Sequence, residues 1–78
     1  MTYNRIPKET WQNFRRKVGQ NIKRTREEQN LSLTQLSEQS GYSIPHLEGF
    51  EDRKKPIDLY NIARLAYCLN ISPEILLK

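Results

Sequence analysis

The sequence predicts an all-α domain, a compact bundle of about five short helices. Three observations predict it. Apolar residues recur at steps of three and four along each segment, and no segment shows the period-two alternation of a strand. Ser32, Ser43, Asp58 and Ser72 stand where helices would start, and Asn30, Gly41, Pro56 and Asn70 where they would stop. The length, 78 residues, supports one hydrophobic core.

The first segment runs from about Pro7 to Glu28. Pro7 suits a first helical turn, where its missing N–H would have no partner. Trp11, Phe14, Val18, Ile22 and Thr25 fall on one face, with Trp11 and Phe14 expected in the core or an interface. Arg15, Arg16, Lys17, Lys23, Arg24 and Arg26 take the other faces. Arg15 to Lys17 reads as a solvated run within reach of flanking phosphates. Gly19 costs a helix about 1 kcal/mol relative to alanine, which allows a division into two helices near Val18. Asn30 tolerates the left-handed conformation that ends a helix.

Ser32 is the next cap, with Gln35 three residues on to complete a capping box. Leu33 and Leu36 follow, and Gly41 closes this short helix because it accepts a positive φ. Ser43 caps a third helix, with Pro45 in its first turn and Leu47 and Phe50 pointing inward. Arg53, Lys54 and Lys55 form a basic loop, and Pro56 forces its predecessor out of helical geometry. A fourth helix runs from about Asp58 to Cys68, with Leu59, Ile62, Ala63, Ala66 and Leu69 expected on its buried side. Cys68 reads as a small core residue. Ser72 caps a last helix in which Pro73 is the first residue and Glu74 favours the positive helix start.

Thirteen Lys and Arg against nine Asp and Glu give a formal net charge of +4. The basic balance favours a polyanion such as nucleic acid. The longest apolar runs, such as Ile75-Leu76-Leu77, fall far short of the roughly 20 residues a membrane-spanning helix needs. The first residues lack the apolar core of a signal peptide, so a cytoplasmic location is expected. A single cysteine makes no internal disulfide. His46, the one histidine, has no ligand-spaced partner, so no metal or other cofactor is expected. No nucleophile–base pairing or glycine-rich phosphate loop marks an enzyme.

Many of these elements agree in spacing with one family. Val18-Gly19-Gln20-Asn21-Ile22-Lys23-Arg24-Thr25-Arg26-Glu27-Glu28 and Leu31-Ser32-Leu33-Thr34-Gln35-Leu36-Ser37 begin the match. It continues through Gly41-Tyr42-Ser43, Leu47, Phe50-Glu51, Pro56, Leu59, Ile62-Ala63, Leu69-Asn70-Ile71-Ser72 and Ile75-Leu76. In these residues the chain resembles the Xre/phage-repressor family of Cro/repressor-like helix-turn-helix DNA-binding domains. The resemblance implies a lambda-repressor-like bundle at 18–78, with 1–17 as a basic N-terminal extension of the first helix. It implies a third helix that reads bases through Ser43, Ile44, Pro45, His46 and Gly49. Thr34 and Gln35 would then meet the DNA backbone, and Arg53, Lys54 and Lys55 the phosphates beyond the reader. Arg26 and Glu51 match a family pair that braces two helices.

The departures from the family fall on the reading face. Leu33 stands where a polar DNA contact is usual, Ile44 and Pro45 replace polar starters, and Glu48 replaces a small polar residue. Direct readout then rests on Ser43, His46, Glu48 and an Ile44 contact with a thymine methyl. The function expected is a sequence-specific double-stranded DNA-binding transcriptional regulator, a repressor, acting as a homodimer. Tyr67, Ile71, Ile75, Leu76 and Leu77 are the expected dimer contact. The alternative is a protein-interaction or antitoxin-like module whose Glu48, Glu51 and Asp52 face a basic partner.

Overall fold

The computed structural model describes residues 5–52 and 56–78. Within them lie five helices: α1 (Lys8–Glu28), α2 (Leu33–Ser40), α3 (Ile44–Glu51), α4 (Leu59–Leu69) and α5 (Pro73–Leu77). No strand occurs among the described residues.

Local chemistry sets the boundaries. The Ser32 hydroxyl accepts from the N–H of Gln35 at 3.0 Å, while Gln35 Oε1 accepts from the N–H of Ser32 at 2.8 Å. Both halves of a capping box are present. Ser43 and Asp58 cap α3 and α4 by accepting from the N–H groups of His46 and Asn61. Ser72 acts differently, because its hydroxyl donates to the Glu74 carboxylate at 2.9 Å rather than capping a backbone N–H. Left-handed residues end three helices: Asn30 (φ 58°), Gly41 (φ 81°) and Asn70 (φ 57°).

The core comprises Val18 and Ile22 of α1, Leu36 of α2, Leu47 and Phe50 of α3, Ile62, Leu65, Ala66 and Leu69 of α4, and Leu76 of α5, with Tyr42 from the turn. On α4 the buried stripe is rotated from the expected one. Leu65 is buried, whereas Leu59 and Ala63 are exposed. Steps of three, one and three from Ile62 to Leu69 follow the helical period more closely than a stripe that includes Leu59 and Ala63. Cys68 is half-buried at the core's edge, its thiol 3.9 Å from the Gln39 carbonyl.

α1 runs unbroken through Gly19. The glycine is a point of close approach rather than a break, for a Cβ there would lie 2.6 Å from the carbonyl oxygen of Glu51 and 2.9 Å from that of Phe50. Burial along α1 begins only at Val18. Trp11 and Phe14 therefore lie outside the core, 46% and 39% exposed, stacked on each other with ring centroids 5.7 Å apart. Their face has the right phase, but the rest of the bundle does not extend far enough to cover it.

Polar side chains tie α1 to the chain that returns over it. Asn21 Nδ2 donates to the Leu76 carbonyl at 3.0 Å, and Gln29 Nε2 donates to that of Leu69 at 2.6 Å. Each satisfies a carbonyl near a helix C-terminus that has no partner within its own helix.

Candidate nucleic-acid interface

α2, the turn at Gly41 and α3 form a helix-turn-helix unit. The turn is held from behind by α4. Tyr42 is buried, its hydroxyl hydrogen-bonded to Asn61 Oδ1 and its ring 4.3 Å from the Arg64 guanidinium. Arg64 also donates to the Ser40 carbonyl at 2.6 Å, satisfying an end of α2. The Ser37 hydroxyl donates to the Tyr42 carbonyl at 2.6 Å, across the turn. Burial raises the pKa of Tyr42, and the nearby Arg64 cation partly offsets that rise. The phenol is thus kept neutral inside the turn.

A second brace locks α3 to α1. Arg26 Nε donates to Glu51 Oε2 at 2.7 Å, and its Nη2 donates to Oε1 at 3.1 Å. This two-point geometry suits a planar guanidinium and a carboxylate. The two side chains are only 10% and 8% exposed. The third group of Arg26, Nη1, donates to the Leu31 carbonyl at 2.8 Å and fixes the α1–α2 connection. The hydrogen bonds to Glu51 hold the Arg26 pKa above its usual value, against the effect of burial. With Gly19 packed on the last residues of α3, this pair fixes where the third helix ends.

The candidate reading residues distribute unevenly. Ser43 and Pro45 are exposed at the start of α3, as are Thr34 and Gln35 at the start of α2. Ile44 is half-buried. His46 is half-buried as well, with its ring 4.7 Å from Phe50 and 5.3 Å from Tyr42, so it leans into the aromatic cluster. Gly49 is buried. With no side chain to extend from that position, it offers nothing to a base edge, contrary to its expected place among the readers. Glu48 is exposed. From Ser43 to Asp52 the chain has no Lys or Arg. Arg53, Lys54 and Lys55 lie outside the described residues.

At the C-terminus, Tyr67 is 86% exposed and Ile75 38%, and Ile71 and Leu77 are half-buried. Leu76 differs: it is wholly enclosed in the core of its own chain. The i to i+1 step of a helix turns Leu76 away from Ile75, so it supports this surface from beneath and is not part of it.

Sequence reasoning missed Arg64 and Asn61. Their spacing of three places them on one side of α4, but an isolated Arg on a helix carries no mark of the ring it will cover. It also missed the use of Gly19, whose partners are 31 and 32 residues away in sequence. Among the described residues, no group of three or more His, Cys, Asp or Glu is placed to hold a metal ion. No helix there is long and apolar enough to cross a membrane.

Comparison with known proteins agrees with this geometry. A family model described as helix-turn-helix matches residues 22–76. Among solved structures, the chain is similar to the restriction-modification controller protein C.AhdI from Aeromonas hydrophila. The two share 33% sequence identity with a TM-score of 0.74, over 78% of this chain and 92% of that one. A comparison with curated proteins gave no match.

Proposed function

The chain belongs to the helix-turn-helix family and is a DNA-binding regulator of transcription, and from that premise we propose that it acts as a homodimeric, sequence-specific repressor on duplex DNA. One observation carries the reading: the α2–turn–α3 unit is braced by Arg26–Glu51 and by Arg64 on Tyr42, with the start of α3 exposed. The proposed domain is 18–78, with 1–17 as an extension of α1.

An exposed helix of this diameter fits the major groove. Ser43 offers a hydroxyl to a base edge, Pro45 and the half-buried Ile44 offer apolar contact to a thymine methyl, and Glu48 accepts from a cytosine amino group. His46 contributes at most the edge of its ring. Thr34 and the Gln35 amide, at the positive start of α2, face the phosphates. Gln35 Oε1 is committed to the capping box, which leaves Nε2 as its donor to DNA. Arg53, Lys54 and Lys55 supply the principal positive charge next to the reader. The homodimer forms through Tyr67, Ile71, Ile75 and Leu77, which spaces two readers on a pseudo-palindromic site about 34 Å apart.

The test is selection of bound sequences from random duplex DNA, followed by affinity measured against salt. A palindromic consensus is expected, with binding that weakens steeply as salt rises. Replacing Arg53, Lys54 and Lys55 by Ala removes six cations from a dimer, which flattens the slope of log affinity against log salt by about 5. Affinity indifferent to salt, or a slope unchanged in this variant, overturns the mechanism. The exposed Glu48 on a reader without Lys or Arg favours a second reading, an antitoxin-like module that receives a basic protein. Failure to shift any duplex at low salt would select it.

A further inference from the structure

The first half of α1 carries a surface that DNA reading does not use. Trp11 and Phe14 continue the same helical stripe as Val18 and Ile22, but beyond the covered part of the bundle. They form a stacked ridge with an apolar groove on each side. One groove, about 430 Å³, is walled by Trp11, Phe14, Ile57, Leu59, Ile62 and Leu77. The other lies between the ridge, Thr10 and Ile6. Ile6 is 65% exposed and Leu59 74%. Large apolar side chains rarely gather at a surface without a partner.

We propose that the occupant of this surface is a second copy of the chain, with the Trp11–Phe14 ridge of each protomer seated in the α1–α4 groove of the other. Shape is the first argument. A two-fold contact uses one patch twice, so that patch must contain both a projection and a recess to receive it. Ridge and groove here share two residues and lie side by side. Area is the second. Ile6, Trp11, Phe14 and Leu59 expose about 300 Å² of apolar surface per copy, taking 150–250 Å² for a whole aromatic side chain and somewhat less for an aliphatic one. The half-buried groove walls add to that. A standard interface buries about 800 Å² per partner, of which roughly 60% is apolar. The patch thus supplies most of the apolar centre of such an interface. Charge is the third. Asp58 lines the groove, while the first half of α1 carries Lys8, Arg15, Arg16 and Lys17 against Glu9, a net positive charge.

This contact is distinct from the C-terminal one proposed above, although Leu77 borders both. With both in place the chain forms a dimer of dimers, and with the α1 contact alone it forms a dimer.

Trp11 is the chain's only tryptophan, which makes it the reporter. The full chain is diluted from about 100 μM to below 1 μM while emission wavelength and mass by light scattering are followed. Emission is expected to move to the blue as concentration rises, in step with an increase in mass. Phe14→Glu with Leu59→Glu should abolish that shift and retain helical circular dichroism, since both side chains lie outside the core. Tyr67→Glu with Ile75→Glu should leave the shift intact while lowering the limiting mass. Emission that stays at the wavelength of a solvated indole while mass rises overturns the α1 contact and leaves the C-terminal one standing. A shift lost in the Tyr67 and Ile75 variant but kept in the Phe14 and Leu59 variant also overturns it. A chain that stays monomeric throughout overturns both.

Discussion

Gly19→Ala sets two known effects against each other. In an isolated helix the change stabilises by about 1 kcal/mol, because alanine loses less backbone entropy than glycine. In this fold the new methyl would lie 2.6 Å from the Glu51 carbonyl oxygen, where ordinary contact begins at 3.4 Å. The obstacle is backbone, with no rotamer to change, so α1 and α3 must separate by about 0.8 Å on the evidence of those two distances. Overpacking of this kind costs about 1–3 kcal/mol. The same displacement stretches the Arg26–Glu51 bonds, now 2.7 and 3.1 Å, and costs a share of a charge-assisted pair worth about 1.5–3 kcal/mol. Subtracting the helix gain leaves a net loss of about 1–3 kcal/mol, with a fall in Tm of about 4–8 °C for each kcal/mol. Urea and thermal unfolding followed by circular dichroism measure it, with the exposed Gln20→Ala as a control for helix propensity. A Tm raised by Gly19→Ala would refute the reasoning, since it would mean that α1 and α3 do not approach closely at this residue.

Three further outcomes follow from the two braces. Glu51→Ala leaves the Arg26 cation nearly buried without its carboxylate, and should cost about 3–5 kcal/mol in urea unfolding. Arg26→Met combined with Glu51→Leu should cost less than that single change; a double variant that costs as much as the single one or more would show that the pair is not an energetic unit. The Tyr42 pKa is raised by burial, so folding favours the neutral phenol. The stability this gives is fully present below the ordinary tyrosine value of about 10 and is lost as pH rises through the folded value. Tyr42→Phe should flatten the alkaline limb of a stability–pH curve; an unchanged limb would place the titration elsewhere.

The legible part of the fold was the part fixed by near neighbours. Ser32 with Gln35, Gly41, Ser43 with Pro45, and Asp58 each state a boundary within four residues, and each boundary falls where those residues put it. The rest depended on what packs opposite. Gly19 left room for a break because its cost is local and its reason, a carbonyl of α3, is not. Trp11 and Phe14 read as core or interface without a choice between the two, because periodicity reports the face of a helix and not the length over which the bundle covers it. Leu59 and Ala63 read as buried because both are apolar, yet the axis of α4 turns Leu65 inward instead. At the candidate site, spacing located α3 as a unit, but only packing separates the outward Ser43 and Pro45 from the buried Gly49 and the inward-leaning His46.

That separation bears on why one copy is too few. Most of the polar side chains that anchor this small fold face inward or across its turns: Arg26, Asn21, Gln29, Arg64 and Ser37 each satisfy a backbone carbonyl. Outward, α3 keeps Ser43, Pro45 and Glu48. A good base contact discriminates by about 1–3 kcal/mol, so two such contacts give one protomer roughly 2–6 kcal/mol. Specific regulators exceed their own nonspecific binding by about 4–10 kcal/mol. A single reader of this composition therefore meets at most the lower half of that range, and phosphate contacts do not help, because they are the same on every sequence. Two readers held at a fixed spacing double the discrimination to about 4–12 kcal/mol, which covers the range. On the homodimeric reading proposed above, the sparse reading face and the exposed apolar surfaces of this chain point the same way: specificity on DNA would come through self-association, and a variant that cannot associate should retain salt-dependent binding while losing most of its preference among sequences.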